Sequence, residues 1–392
     1  MRILAVDVGT GTQDILLLDT SGPIENSAKL VMPSATGIAA GRIRRATAAR
    51  EPVVLSGVIQ GGGPCHWALE DHLRAGLTAF ATPEAAATFD DDLDNVRAMG
   101  VTIVSEDEVS ANRGTHVRLR DLDLGAIRAA LTAFDVSPEF DGFAVGCLDH
   151  GNSPPGYSDR LFRFDHLRRV VQAGNDLRAF AYLPEELPDY LTRARTLMCS
   201  LDGGAPAVFL DTGPAAALGA LQDPAVTRSD EQLVLNLGNM HALAFHLRGS
   251  QIISLYEHHT GEMTNEMIED FTCRLPVGEL RHEEVFDSKG HGVFYARRDS
   301  VQADPAESLS REPFESVRDE PVEPRGPAAF DSKSPLLAVT GPQRNRLRHS
   351  RLNTYFAAPH GDMMLSGCFG MLRAFAHRYP EHAAEIEHTL DA

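Results

Sequence analysis

The chain has 392 residues, 43% of them hydrophobic, enough for two or three domains at roughly 150 residues each. Its 36 Lys and Arg against 55 Asp and Glu leave a formal net charge of −19 at pH 7, the opposite of the basic face that nucleic-acid binding requires. Only Lys29, Lys289 and Lys333 are lysine, and no Gly-Lys pair occurs, which excludes a Walker A loop with its phosphate-contacting lysine.

Residues 3–8 (ILAVDV), 12–19 (TQDILLLD) and 28–32 (AKLVM) are apolar, β-prone runs. A Gly-Thr-Gly turn signal separates the first two, so the chain is expected to open as an antiparallel hairpin or meander. Residues 53–59 form another strand candidate, ending in Gln60-Gly61-Gly62-Gly63-Pro64 before a helical stretch over 67–75. Residues 90–99 look helical and 101–104 extended. The apolar spacing of Leu124, Ile127, Ala130 and Leu131 predicts an amphipathic helix over 123–134. Residues 140–148 read as a buried strand that breaks at Asp149-His150-Gly151. A short strand over 208–210 breaks at Asp211-Thr212-Gly213-Pro214 and leads into a small-residue helix over 215–221, with proline at its start as helix N-termini favour.

The second half begins again with strands over 233–237, 241–247 and 251–256 and a helix over 262–275. Residues 296–334 are polar, charged and proline-rich, and are expected to be a mobile insertion. A strand over 336–339 ends in Thr340-Gly341-Pro342, another over 354–358 ends in Pro359-His360-Gly361, and 363–375 is the last clear helix.

The five cysteines (65, 147, 199, 273 and 368) are scattered, with no CxxC or CxxxCxxC cluster. That excludes a zinc ribbon and a radical-type iron–sulfur loop and fits buried free thiols in a reducing compartment. Asp7 and several glycines interrupt any signal-peptide core, and no apolar run approaches the ~18 residues of a membrane span. The expectation is a cytoplasmic protein with neither membrane nor nucleic-acid partners.

Two pairs of segments repeat in order. AVDVGTGTQDILLLD (5–19) matches VLNLGNMHALAFHL (234–247), aligning Asp7 with Asn236, Gly9 with Gly238 and Thr12 with His241. AVFLDTGPAAALGAL (207–221) matches YFAAPHGDMMLSGCFGML (355–372), each a strand, a Gly/Pro loop and a small-residue helix. Two α/β lobes, 1–225 and 226–392, would then face each other across a cleft, a favoured ligand site. Gly9, Thr10, Gly11 and Thr12 offer successive backbone N–H groups and two hydroxyls, an anion cradle made without lysine. Asp7 beneath it could hold Mg²⁺ against phosphates; turn capping is the plain alternative.

Asp7-Val8-Gly9-Thr10-Gly11-Thr12 resembles the first phosphate motif of the actin, Hsp70 and sugar-kinase superfamily of ATPases. Residues 233–247 resemble its second phosphate motif, and the segments 340–342 and 361–370 its adenosine region. More closely, the chain is similar to an uncharacterised prokaryotic family labelled "putative pyruvate formate-lyase activating enzyme". The segments that carry this likeness include 61–64, Asp149-His150-Gly151, Asn236-Leu237-Gly238-Asn239, Glu257-His258-His259-Thr260-Gly261 and Gly290-His291-Gly292. The absent cysteine cluster speaks against radical iron–sulfur chemistry.

The superfamily resemblance implies two duplicated ribonuclease H-like lobes and ATP with Mg²⁺ as cofactors. Phosphoryl transfer would go to water or a small molecule, making the protein an ATPase or a small-molecule kinase. It implies that Asp7 binds the metal or the attacking water, that Gly9 to Thr12, Gly238 and Asn239 hold phosphates, and that Gly341 and Gly361 touch adenine or ribose. Asp149 would serve as acceptor-side base. Asn236 stands where that motif normally has an acid, which opens a second reading: a non-catalytic nucleotide sensor or assembly factor. Asp211 is a candidate catalytic acid, with a helix-capping role as its plain alternative. His150, His258 and His259 are candidate substrate or proton-transfer groups. His258 and His259 should point to opposite faces of their strand, so both binding one metal is not expected. A histidine metal site drawn from His150, His258, His259, His291 or His360 is a third possibility.

Overall fold

The computed structural model describes residues 1–296 and 336–391. Apart from residue 296, the expected insertion at 296–334 lies outside them. Among the described residues the fold is mixed α/β with three sheets.

In chain order the strands are β1 (Arg2–Val8), β2 (Thr12–Asp19), β3 (Ala28–Pro33), β4 (Val53–Gly57), β5 (Ala79–Ala81), β6 (Val101–Ile103), β7 (Thr115–Leu119), β8 (Gly142–Cys147), β9 (Ala181–Tyr182) and β10 (Ala207–Leu210). There follow β11 (Gln232–Leu237), β12 (His241–Arg248), β13 (Gln251–His259), β14 (Gly292–Tyr295), β15 (Leu337–Thr340) and β16 (Thr354–Phe356). The opening meander is present: β1 pairs antiparallel with β2, and β2 with β3.

The first sheet has the order β3-β2-β1-β8-β10-β9, and another six-stranded sheet the order β14-β13-β12-β11-β15-β16. Each contains an antiparallel meander followed by two parallel strands: β3-β2-β1-β8-β10 in one, β13-β12-β11-β15-β16 in the other. The turns that open the two meanders are alike as well. Gly9 N–H donates to the Thr12 carbonyl at 2.9 Å, and Gly238 N–H to the His241 carbonyl at 2.9 Å.

β1 is a continuous apolar run because both of its faces are buried. Ile3 and Ala5 join the core between the two six-stranded sheets, while Leu4 and Val6 join a second core under helices Leu124–Thr132 and Thr192–Cys199. By alternation Asp7 falls on the Ile3 and Ala5 face.

That central core is filled by two helices, Thr212–Ala220 and Ser366–Arg378, which pack on each other. The first is buried from Gly213 to Ala220, which is why it is apolar on every side. It leans on β11 and β15, while Ser366–Arg378, which is followed by a last helix over Pro380–Asp391, leans on β1, β8 and β10, so each of the two crossing helices covers the other half's sheet. Backbones meet at the crossing. A Cβ on Gly370 would stand 2.0 Å from the Ala215 carbonyl oxygen, and one on Gly219 1.8 Å from that of Ser366.

The third sheet, all parallel in the order β6-β5-β4-β7, is an insertion between β3 and β8 with its own core, including Ile43, Leu55, Leu69 and Val117. β4 matches the predicted strand over 53–59. β5 and β7 carried no clear pattern, β5 being only three residues long. Helices Ala35–Ala49 and Asp159–Gly174 also lacked a clear apolar stripe. Among the described residues no helix is long and apolar enough to cross a membrane.

Candidate functional site

The two glycine turns meet. A Cβ on Gly11 would lie 2.2 Å from Nδ2 of the Asn239 side chain, so the second turn reaches the first through that amide. They bound a cleft of about 870 Å³, lined from one side by Asp7, Gly9 to Thr12 and Asp14, and from the other by Asn236, Gly238, Asn239 and His241. Thr340 to Pro342, Met363, Met364, Ser366 and Gly367 close its far end. Gly341 holds φ +93°, and a Cβ there would stand 2.4 Å from the Leu237 carbonyl oxygen. Gly361 lies instead in a short 3₁₀ turn over Pro359–Gly361, outside that lining.

Asp7 and Asp14 sit opposite each other on β1 and β2. Both are buried. Asp7 Oδ1 accepts from the Thr212 hydroxyl at 2.9 Å, whereas Asp14 Oδ1 is buried with no hydrogen-bond partner. Burial, reinforced by the facing Asp14 charge, pushes Asp7 up to about 8; burial pushes Asp14 up to about 7. Two facing buried carboxylates with one orphaned oxygen are a donor set suited to a hard divalent ion. The helix beside them leaves room: a Cβ on Gly367 would stand 2.0 Å from Asp7 Oδ2. In the other sheet the corresponding pair is Asn236 opposite Leu243, so the acidic pair exists on one side of the cleft only.

A second cleft, also about 870 Å³, shares Gly9, Thr10, Leu148, Arg193, Met240 and His241 with the first. Gly61, Gly62 and Gly63, Asp149, His150 and Asp91 line it. Asp149 accepts from Gly151 N–H and Ala194 N–H, both at 2.9 Å, and burial raises its pKa. Asp91 on the rim, which the sequence did not single out, is pushed up to about 6 by desolvation and then by the Asp149 charge. Arg193 pairs with Asp121 at 2.6 Å and donates to the Leu148 carbonyl at 2.7 Å. It is the arginine that both clefts share, and its position has no local sequence signature.

Asp211 lies outside both linings. It caps helix Thr212–Ala220 through Gly213 N–H at 3.1 Å and receives the buried Arg163 at 2.5 Å. Arg163 also donates to Glu257 through Nε at 3.2 Å. Arg163 had no sequence signature, and Glu257 stood only within the family-like segment 257–261 with no role assigned; Glu257 is fully buried and lines the first cleft.

The histidines divide as strand alternation predicts. His258 is bonded to the His259 carbonyl at 3.0 Å and the Ser288 hydroxyl at 3.2 Å. His259 turns the other way, its ring 4.9 Å from that of His241 and 4.6 Å from that of His291. His150 reaches across from the first half, its Nε2 standing 3.2 Å from His241 Nε2. Burial holds His150 down to about 3, His291 to about 2 and His241 well below the usual imidazole range. His360 lies elsewhere, against Phe369.

A family profile described as "Putative pyruvate format-lyase activating enzyme (DUF1786)" matches residues 60–309. The chain belongs to this family. The match spans the Gly61–Gly63 loop, Asp149, His150, the second glycine turn, His259 and His291. No curated protein matches the chain. Among solved structures, the Lmo2764 protein from Listeria monocytogenes, described as a putative N-acetylmannosamine kinase, is similar at 10% identity. The alignment covers 96% of this chain and 99% of that one with a TM-score of 0.35, too slight a likeness to transfer fold or activity. The family's descriptive label has no counterpart in the cysteines: all five are free, with Cys65, Cys147 and Cys368 buried.

Proposed function

We propose that the family member described here binds Mg·ATP in the first cleft and transfers its terminal phosphoryl group to water or to a small molecule held in the second. The observation that carries this reading is the facing pair of glycine turns with the Asp7–Asp14 carboxylates at their base. An actin-like architecture of two lobes, 1–225 and 226–392, is part of the proposal. The shared strand order of the two six-stranded sheets and the matching bonds at Gly9 and Gly238 support it.

In this reading Asp7 and Asp14 hold the magnesium ion, which neutralises phosphate charge and orients the oxygens. The backbone N–H groups of Thr10 to Thr12 and of Asn239, with the Thr10 and Thr12 hydroxyls, take the phosphates from two sides, while the Gly9 and Gly238 N–H groups close the turns that present them. Phosphoryl transfer is mostly positioning and charge stabilisation, and a cradle of backbone dipoles supplies both without lysine. Thr340, Gly341 and the Met363–Gly367 segment receive the nucleoside; Gly361, off the lining, has no contact role here. The acceptor lies in the second cleft, where Asp149 and Asp91 offer carboxylates. Asp211 supports this site through Arg163 and its helix cap.

Calorimetric titration of the full chain with Mg·ATP tests the reading. Saturable binding in wild type, lost or weakened at least tenfold in Asp7→Ala, is the expected result. Absence of ATP or ADP binding to folded wild type would remove it. The single-sided acidic pair, with Asn236 opposite Leu243, supports a second reading as a nucleotide sensor; binding without any turnover would select it.

A further inference from the structure

Four histidine rings converge where the two clefts join, and the phosphate reading gives them no work. His150 follows β8 in the first half. His241 opens β12, His259 closes β13 and His291 directly precedes β14 in the second. His150 Nε2 and His241 Nε2 are 3.2 Å apart, and one ring nitrogen from each of His150, His241 and His291 lies within 4.8 Å of the others. His291 stacks parallel to His150, with an interplanar angle of 5° and centroids 6.0 Å apart, and its centroid is 5.1 Å from that of His241.

His291 decides what the cluster is for. It is fully buried, and neither of its ring nitrogens has a hydrogen-bond partner. A neutral imidazole always carries one N–H donor and one lone-pair acceptor, and burying both unpaired is unfavourable. A hydrogen bond between His150 and His241 would account for that pair and leave His291 orphaned. The chain also goes to some length to place this ring. Flanking Gly290 and Gly292 pass so close to their surroundings that a Cβ would stand 2.6 Å from the Val285 carbonyl oxygen and 2.4 Å from the His282 ring, respectively.

We propose that His150, His241 and His291 bind one divalent transition-metal ion, Zn²⁺ or a first-row neighbour, with an open coordination position. Zn–N bonds of about 2.0–2.1 Å at a tetrahedral angle separate neighbouring nitrogens by about 3.3–3.4 Å, close to the 3.2 Å found between His150 and His241. Three imidazoles and no carboxylate form a borderline-soft donor set that favours Zn²⁺, Fe²⁺ or Ni²⁺ over Mg²⁺. The Asp7–Asp14 pair is the hard complement. Three protein ligands with a vacancy is the arrangement of reactive rather than purely structural zinc. Two of the three ligands, His150 and His241, also line the second cleft together with Gly9, Thr10 and Asp149. His259, whose ring abuts both His241 and His291, is placed to orient its neighbours. The site joins the two halves of the chain and is independent of whether ATP binds.

The test uses the full chain, stripped with a chelator and titrated without nucleotide with Zn²⁺ alone and, in parallel, with Co²⁺ as an optical probe. One equivalent per chain, a visible Co²⁺ absorption band and a rise in Tm on metal addition are expected. His150→Ala and His291→Ala should each weaken Zn²⁺ binding beyond the 10–100-fold typical of losing an outer-shell partner. His388→Gln, an exposed histidine outside the cluster, should bind as wild type does. Circular dichroism of the stripped variants separates lost ligation from lost folding, and His241→Gln supplies an independent ligand variant if either alanine variant unfolds. Folded, stripped wild type that takes up neither ion would overturn the proposal and leave a hydrogen-bonded imidazole cluster. So would undiminished affinity in the His150→Ala/His291→Ala double variant.

Discussion

His166 shows what burial does to a single titratable residue. Its ring is 3% exposed, bonded through Nδ1 to the Tyr190 hydroxyl at 3.1 Å, and edged by Phe180, Tyr182 and Tyr190. Desolvation, then the Arg163 and Arg169 charges, hold its pKa down to about 3, against about 6.5 for an unperturbed histidine. The folded state accepts this ring only when neutral. Its contribution is therefore complete above about pH 6.5 and is lost as pH falls towards 3, because the unfolded chain gains the proton first. Down to pH 5 the loss amounts to about 2 kcal/mol, at 1.36 kcal/mol per pH unit. His166→Phe should lose about 1 kcal/mol at pH 7.5 with the Tyr190 bond. Between pH 7.5 and 5 it should then decline about 2 kcal/mol less than wild type. Urea denaturation at both pH values measures this; equal declines in the two proteins would refute it. Other buried histidines titrate alike in both proteins and cancel.

At the scale of elements, the crossing of helices Thr212–Ala220 and Ser366–Arg378 reverses the usual effect of glycine. Gly→Ala in a helix ordinarily stabilises by up to about 1 kcal/mol. At Gly370 the added Cβ would meet the Ala215 carbonyl oxygen at 2.0 Å, so the helices must part. Overpacking of this kind costs roughly 1–3 kcal/mol, and Gly370→Ala should therefore lower stability. Gly41→Ala, in helix Ala35–Ala49 with only an Arg45 guanidinium atom 3.6 Å from the new Cβ, should raise it. Thermal melts of the pair check the opposite signs. This crossing was partly legible: Gly367 and Gly370 inside a helical pattern already asked for a close neighbour, and the structure supplies the Asp7 carboxylate and the Ala215 backbone. The opening hairpin was legible because two apolar, β-prone runs, a glycine turn and a strand-ending acid coincide within 19 residues. β5 and β9 were not, because strands of three and two residues are too short to display a period.

The whole molecule is held across its halves by charges that no local pattern reveals. Arg163 lies 48 residues from Asp211 and 94 from Glu257 in sequence, and nothing about an arginine in a polar-looking helix marks it as fully buried. The histidine cluster is equally non-local, with 91 residues between His150 and His241; sequence offered the candidates without their meeting point. The Arg163 cluster makes an ordered prediction. One guanidinium faces two buried carboxylates, a net charge of −1. Arg163→Met strands both carboxylates, and orphaning buried charges costs roughly 3–5 kcal/mol. Glu257→Gln leaves a neutral Arg163–Asp211 pair and should cost clearly less. The double variant Arg163→Met/Glu257→Gln, with one stranded carboxylate instead of two, should be more stable than Arg163→Met alone. Urea denaturation of the four proteins, read as a double-mutant cycle, measures the coupling. Strict additivity, or equal losses in the two single variants, would mean that the three groups do not act as one charge cluster.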